Sequence, residues 1–246
     1  HGCSIVGGFI VGFPEDAAES IAKDIDIIKR ELPIDILEIF CWTPLPGSED
    51  HKNLYLRKVW MDPDMNNYDV EHVTTVHPRM SKAEWQEAYR KAWQQYYTFD
   101  HIETIMRRAA ARGQSVIKIM FYLICFYGSI TFEGIHPLEG GVFRRKVRGM
   151  RRPGMAKEPP SQFYFRRIRE FITTTIQWSH LVWKLNRIRR RVENDPQKLE
   201  YTDLALTPLT ENAEHELELI QKYGNYIPIS GLGKGKTPAS LTTPSS

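Results

Sequence analysis

Glycines and apolar residues at regular spacing near the start of the chain form the first group that could bind a ligand. Gly8, Ile10 and Gly12 alternate within an apolar run, and Glu15 follows three positions after the last glycine. Glycine weakens a strand because it has no side chain to pack, so glycines inside a strand indicate close approach by another group. That group is either a bound ligand or a closely packed helix, and the glycines by themselves leave both interpretations open.

A cluster of cations in the middle of the chain forms the second candidate site. Arginine and lysine side chains bind phosphate and carboxylate groups, so the cluster predicts an anion site. Candidate ligands are phosphates, the nucleotide loop of cobalamin, nucleic acid and acidic lipid headgroups. The alternative is a basic surface that pairs with the acidic N-terminal part of the chain. The cluster consists of Arg144, Arg145, Lys146, Arg148, Arg151 and Arg152.

Histidine and carboxylate side chains give weaker signals. His136 lies between Glu133 and Glu139. Because histidine exchanges protons near neutral pH, these three residues are a candidate acid–base group. The acidic stretch 61–69 lacks the glycine and the terminal glutamate of an EF-hand calcium loop. We therefore predict no metal site there.

Two strands and a helix must position the first candidate site. The apolar run 3–11 predicts a strand buried on both faces, and residues 15–32 place isoleucines along one face of a helix. The β-branched run 34–42 predicts a second strand. A strand, a helix and a strand in this order form a parallel, right-handed βαβ unit. Ligands bind at the carboxyl ends of such strands, which here are residues 12–15 and 43–48.

Two motifs in this βαβ unit resemble those of the radical S-adenosylmethionine enzymes. The G-x-I-x-G-x-x-E motif at residues 8–15 is similar to the pattern on the fifth strand of that family. The Pro-Leu-Pro-Gly-Ser sequence at residues 44–48 is similar to the end of the sixth strand. Over residues 1–110 the chain is similar to those members that carry an N-terminal cobalamin-binding domain.

The resemblance implies an α/β fold, in which the last βαβ strands of a partial (β/α)6 barrel precede a mostly α-helical C-terminal extension. It implies S-adenosylmethionine as the ligand, with Gly8, Ile10 and Gly12 behind the adenine ring. Glu15 would fix the turn rather than touch the ligand. The prolines after the second strand would belong to the same cofactor-binding set, namely Pro44 and Pro46.

The three cysteines do not form the cluster motif of that family. Members hold a [4Fe–4S] cluster with C-x-x-x-C-x-x-C, whereas Cys3, Cys41 and Cys125 lie far apart. Because a cluster needs at least three correctly spaced thiolates, we expect its ligands in a missing N-terminal half of the same protein, and this fragment alone to be inactive. In the complete enzyme, the resemblance implies a 5′-deoxyadenosyl radical that abstracts hydrogen from a small-molecule or lipid-like substrate, and it leaves the use of cobalamin open.

Helical patterns dominate the rest of the chain. After a polar connection without regular structure over residues 49–80, a capping box at Ser81 and Glu84 opens a helix with an apolar stripe. Further helices are predicted at residues 99–112, 161–192 and 211–223. We therefore divide the chain into the end of a barrel with its following loop (1–80), a basic helical extension (81–230) and a disordered tail (231–246).

Charge is segregated along the chain of 246 residues. Residues 1–100 carry 10 basic against 17 acidic side chains, and residues 101–191 carry 19 against 5. A basic module binds anionic partners, so the rival function is a non-catalytic module for RNA or acidic membrane surfaces.

The apolar stretch 114–131 is either a buried helix or one in a membrane interface. We expect a cytoplasmic protein. Under the rival interpretation, the protein would lie at the periphery of a membrane.

Overall fold

A parallel βαβ unit opens the computed structural model, which describes residues 3–139, 146–150 and 154–207. Strand β1 (Val6–Val11) and strand β2 (Ile36–Cys41) pair in parallel and are joined by helix α1 (Ala18–Glu31). The register runs from Val6 opposite Ile36 to Val11 opposite Cys41. These elements, with the helices that follow, confirm the predicted α/β class with a helical C-terminal part.

Strand β1 differs from the expectation of a strand buried on both faces. Val6 is 60% exposed and Ile10 is 42% exposed, whereas Val11 is fully buried. Successive side chains of a strand point to opposite faces, so one face of β1 packs on the helices and the other is bare. In the described residues the sheet has two strands, so β1 also has one unpaired edge.

Helix α1 begins later than its sequence pattern indicates. The first helical residue is Ala18, so Pro14 and Glu15 lie in the preceding turn. The backbone N–H of Ala17 donates to the hydroxyl of Ser20 at 2.9 Å and stabilises this start. Ile21 and Ile25 are buried on the predicted apolar face.

The connection after β2 contains regular structure that its polar sequence did not predict. Helix α2 (Glu49–Leu56) starts at Ser48, whose hydroxyl accepts the N–H of His51 at 3.2 Å. Glu49 and Asp50 lie in its first turn, where carboxylates stabilise the positive end of the helix dipole. The helix buries no residue, so it has no apolar stripe that a periodicity search could detect.

Four longer helices complete the described structure, and their predicted positions are confirmed. They are α3 (Lys82–Tyr96), α4 (Phe99–Ala111), α5 (Val116–Gly128) and α6 (Pro160–Glu193). The capping box of α3 forms as predicted, because the Ser81 hydroxyl accepts the Glu84 N–H and the Glu84 carboxylate accepts the Ser81 N–H. The predicted helix 211–223 and tail 231–246 lie outside the described residues.

Helix α3 joins the βαβ unit to the later helices in one core. It packs on α1 and on β2, while α4, α5 and α6 pack on one another. Trp85, Trp93 and Tyr96 of α3 are among the largest fully buried side chains. The predicted boundary between residues 80 and 81 therefore lies within a continuous core.

Buried ion pairs close the amino ends of the strands. Asp35, which is 1% exposed, pairs with Arg112 at the end of α4 and accepts the backbone N–H of Ile5 at 2.8 Å. Arg108, which is also buried, pairs with Asp203 at 2.7 Å and donates to the carbonyl oxygen of Lys29 at 2.8 Å. Each charge is thus hydrogen-bonded, which offsets the cost of removing it from water.

Helix α5 and the π-helical turn after it contain the most apolar segment. Among the described residues, Val116–Glu133 is the segment long and apolar enough to cross a membrane, and 39% of it is buried in the fold. Ile119 and Leu123 are buried, whereas Ile117 and Phe121 are exposed. The buried side of α5 therefore packs against the rest of the fold, as the buried side of a core helix does.

Gly12 ends strand β1 in a conformation that requires glycine. Its φ angle is +107°, and a Cβ atom at this position would lie 2.0 Å from the Trp85 ring. The Trp85 indole N–H donates to the carbonyl oxygen of Val11 at 3.1 Å, which holds the ring against the strand.

We predict that Gly12→Ala lowers the free energy of unfolding by about 3 kcal/mol, from backbone strain and the collision with Trp85. Gly47→Ala is the matched control, because Gly47 has a φ angle of +92° with open space around it. We expect about 1 kcal/mol from strain alone in that control. Urea unfolding of both variants measures the difference, and equal losses would show that Trp85 does not constrain the strand.

Because His101 of α4 is buried, we predict that the folded protein loses stability in acid. The residue is buried against Tyr96, and burial, together with nearby Lys29 and Arg108, lowers its pKa to about 3. Below pH 6.5 the unfolded chain takes up a proton that the folded chain does not, so stability falls as the pH falls. Between pH 7 and pH 5 the wild type should lose about 2 kcal/mol more than His101→Leu. Parallel losses in urea unfolding at the two pH values would contradict this.

Candidate functional site

The turn after strand β1 is held by a residue that the sequence motif does not include. One carboxylate oxygen of Asp16 accepts the N–H groups of Gly12 at 2.7 Å and Phe13 at 2.9 Å. Glu15 is exposed, and its backbone carbonyl accepts a hydrogen bond from Arg79 at 2.6 Å. The turn-fixing role expected of Glu15 is thus performed by the next residue. The sequence signal that could have identified Asp16 is an aspartate four positions after a turn glycine.

Two of the three residues expected behind the adenine ring share the exposed face of the sheet. Gly8 and Ile10 alternate with the half-buried positions Gly7 and Phe9, so they lie on the same face as Val6. A Cβ atom on Gly8 would lie 3.6 Å from the Phe40 ring of β2, so the surface beside Gly8 is open and flanked by an aromatic side chain. Gly12 is not part of this surface, because Trp85 fills the space in front of it.

The prolines after β2 lie at the same end of the sheet as Gly12, since the strands are parallel. Pro44 is buried and Pro46 is exposed. Gly47 follows with a positive φ angle and leads to Ser48, which caps helix α2. This second loop therefore has a structural role in starting α2, and its exposed part lies at Pro46.

The helical extension returns to the sheet through His136. Its imidazole ring stacks on Phe40 with 5.1 Å between the ring centroids and meets Trp93 edge-on at 5.5 Å. His136 is 1% exposed, and this burial lowers its pKa, so the ring is neutral at pH 7. The Leu138 N–H donates to its Nδ1 atom at 3.3 Å. The predicted acid–base residue is therefore an aromatic packing residue beside the exposed face of the sheet.

The other two members of that predicted acid–base group lie in different surroundings. Glu133 borders a cavity of about 450 Å³ together with Lys146, Arg167 and Glu170. Burial raises the pKa of Glu133. Glu139 is exposed.

Carboxylates near the end of β2 form a polar cluster that sequence reasoning missed. Burial, and then the charge of Asp69, raises the pKa of Glu71 to about 7. Asp69, Glu71 and His72 place three possible ligand atoms within 4.8 Å of one another. The Asp69 carboxylate already accepts the backbone N–H groups of Glu71 and His72, so the loop satisfies it internally. No sequence signal marks Glu71, because its burial depends on how the loop packs.

The cysteines do not fit an iron–sulfur cluster. Burial raises the pKa of Cys41 to about 12 and also raises that of Cys125. Among the described residues, no group of three possible metal ligands includes a cysteine. Cluster ligation requires thiolates. Cys3 is exposed and precedes strand β1. A cluster is therefore not assigned to the residues of this chain.

Two of the six cations of the basic cluster belong to the described structure. Lys146 approaches Glu170 of α6 at 3.5 Å, and Arg148 donates to the carbonyl oxygen of Glu158 at 2.9 Å. These contacts are with the C-terminal part of the chain rather than with its acidic N-terminal part. The other four lie outside the described residues, namely Arg144, Arg145, Arg151 and Arg152.

Comparison with known proteins identifies no relative of this chain. No protein-family model, no curated protein and no solved structure matches the chain. The family resemblance therefore stays a prediction from the two motifs and the βαβ unit.

We predict that Asp16→Ala destabilises the protein by about 1 to 2 kcal/mol, because two backbone N–H groups lose a charged acceptor. The neighbouring substitution Glu15→Ala is the control and should stay within about 0.5 kcal/mol of wild type. Thermal unfolding of both variants measures this. A larger effect at Glu15 would return the turn-fixing role to that residue.

Proposed function

We propose that this chain is the C-terminal part of a radical S-adenosylmethionine enzyme and forms one wall of its S-adenosylmethionine pocket. The observation that supports this proposal is the exposed face of the parallel sheet at Gly8 and Ile10. Parallel strands are normally covered on both faces, so a strand that is buried on one face and exposed on the other favours a further occupant for the exposed face. In this proposal the occupant is the adenosyl group of the cofactor.

The chemistry of this face suits an adenine ring. Gly8 lets a flat group approach the backbone, Ile10 provides an apolar surface, and Phe40 lies beside them. Ligand pockets are lined mainly by apolar and aromatic groups with a few polar contacts. The backbone of the adjoining loops could supply those polar contacts.

The unpaired edge of β1 supports the second part of the proposal. An open edge of a sheet exposes backbone donors and acceptors that pair readily with another strand. We place the preceding strands of a partial (β/α)6 barrel there, contributed by the N-terminal half of the same protein. The [4Fe–4S] ligands would lie in that half, because the cysteines of this chain do not fit the cluster. The proposal leaves the use of cobalamin open and assigns no site to it.

The helical extension would cover the substrate side of the pocket. His136 stacks on Phe40, and Phe40 flanks the surface at Gly8, so the extension reaches the border of the exposed face. A small-molecule or lipid-like substrate would lie between this border and the cofactor. No described side chain is assigned a catalytic step.

Gly8→Val in the full-length protein tests the assignment. We predict S-adenosylmethionine binding at least about ten-fold weaker, because the new side chain occupies the face of the adenine ring. A β-branched residue suits an exposed strand position, so the melting temperature should be retained. Equilibrium dialysis with S-adenosylmethionine measures the affinity.

The control for this test is Gly149→Val, at another glycine with open space around it. This variant should bind S-adenosylmethionine like the wild type. Unchanged affinity in a folded Gly8→Val protein would overturn the assignment of the face to S-adenosylmethionine.

A further inference from the structure

Helix α6 is divided into two halves by its packing. The apolar residues of its C-terminal half are buried against the core, namely Leu181, Leu185, Ile188 and Val192. Most apolar residues of its N-terminal half are exposed instead: Phe165 is 72% exposed, Ile168 60% and Ile176 63%, whereas Phe163 is buried. With 3.6 residues per turn, the buried group and the exposed group lie on opposite sides of α6 rather than along one face.

The exposed residues form one stripe along the helix. With 3.6 residues per turn, the stripe faces away from the buried side of α6 and extends about 28 Å from its first to its last residue. Its aromatic members lie towards both ends and its isoleucines lie between them. We call this surface the α6 stripe, and it consists of Tyr164, Phe165, Ile168, Ile172, Ile176 and Trp183.

Arginines at the border of the α6 stripe differ from those elsewhere on the helix. Arg169 lies one turn from Phe165, and Arg187 lies one turn from Trp183, over whose ring its guanidinium group rests at 4.9 Å. Arg190 follows one turn further along. Within the described part of the chain, none of these three arginines pairs with a carboxylate.

Arginines on the other sides of the helix are neutralised by carboxylates. Arg166 pairs with Glu158 at 2.6 Å, and Arg191 pairs with Glu103 at 2.6 Å. Arg167 and Arg189 are paired in the same way with acidic residues of α6. Among the described residues, the arginines of α6 that lack a carboxylate partner therefore lie beside its apolar stripe.

We propose that the α6 stripe lies in the headgroup region of a membrane that contains anionic lipids. An interfacial helix inserts an apolar face rich in aromatic and aliphatic residues and keeps cations at its border. Arginines near an anionic membrane surface are attracted to it electrostatically. This inference goes beyond the proposed enzymatic function and does not depend on it.

The single sign of the bordering charge favours a lipid surface over a protein partner. Protein interfaces place polar residues of mixed character around an apolar centre. Single-stranded nucleic acid is bound by cations and by aromatic stacking, which gives no role to Ile168, Ile172 and Ile176. An anionic membrane uses both the aliphatic stripe and the arginines.

Flotation of the full-length protein with vesicles tests the proposal. Vesicles of phosphatidylcholine with about one third phosphatidylserine should bind the protein, and pure phosphatidylcholine should bind it at least about ten-fold more weakly. Binding to the anionic vesicles should fall with added salt, because the headgroup attraction is screened. The full-length protein is used because it includes any part of the same protein that could cover the α6 stripe.

Two sets of variants separate the apolar and the charged contributions. The triple variant Phe165→Ser, Ile172→Ser and Ile176→Ser should lose vesicle binding, because no apolar surface is left to insert. Its control is Thr173→Ser with Gln177→Ser, at exposed positions on the polar side of the helix, and this variant should bind like the wild type.

The charge variants are Arg169→Glu and Arg187→Glu together, with the exposed Lys157→Glu as a control for a change of net charge. The double variant should bind anionic vesicles at least about ten-fold more weakly, and the control should not differ from wild type by more than a few-fold. All substituted side chains are exposed, and thermal unfolding checks that each variant is folded.

Three outcomes would overturn the proposal. The first is a wild-type protein that does not float with anionic vesicles, or floats equally with neutral ones. The second is binding to single-stranded RNA without binding to vesicles, which would assign the arginines to nucleic acid. The third is a dimer in sedimentation that dissociates in the triple variant without any vesicle binding, which would assign the stripe to a second copy of the chain.

Discussion

The indole ring of Trp85 packs against Gly12 and holds the end of strand β1 on helix α3. Because a Cβ atom at Gly12 would lie 2.0 Å from this ring, the strand, the turn and the helix adopt their positions together. The indole N–H donates to Val11, and His77 packs edge-on against the ring while bonding to the carbonyl oxygen of Phe13. Trp85 therefore leaves no space for a ligand at the Gly12 end of the strand.

A second constraint ties the other end of the sheet to the surrounding helices. The buried Asp35 ties the start of β1 to α4 through Arg112, and the neighbouring Arg108 holds the end of α1. These charges have hydrogen-bond partners in the fold, so removing one partner would leave the other buried and unpaired. The two constraints together present the sheet face at Gly8 as a fixed surface.

The molecule therefore carries two bare apolar surfaces of different chemical character. The sheet face at Gly8 and Ile10 is flat, narrow and bordered by aromatic rings, which suits a small planar ligand. The α6 stripe is long, aliphatic and bordered by arginines without carboxylate partners, which suits an anionic lipid surface. If both proposals hold, the protein would act on its substrate at a membrane, and a lipid-like substrate would be consistent with that position.

The sequence alone determined the order and type of most elements. The capping box at Ser81, the terminal signals of the helices and the periodic apolar residues are local features, and local features predicted the βαβ unit and α3, α4 and α6. Helix α2 was missed because it buries nothing. The tertiary structure decided which side of each element is covered: it placed Trp85 on Gly12, His136 on Phe40, and left half of α6 bare. Periodicity shows that a face is apolar, but the packing partner depends on distant residues, so only the folded chain distinguishes a core from a binding surface.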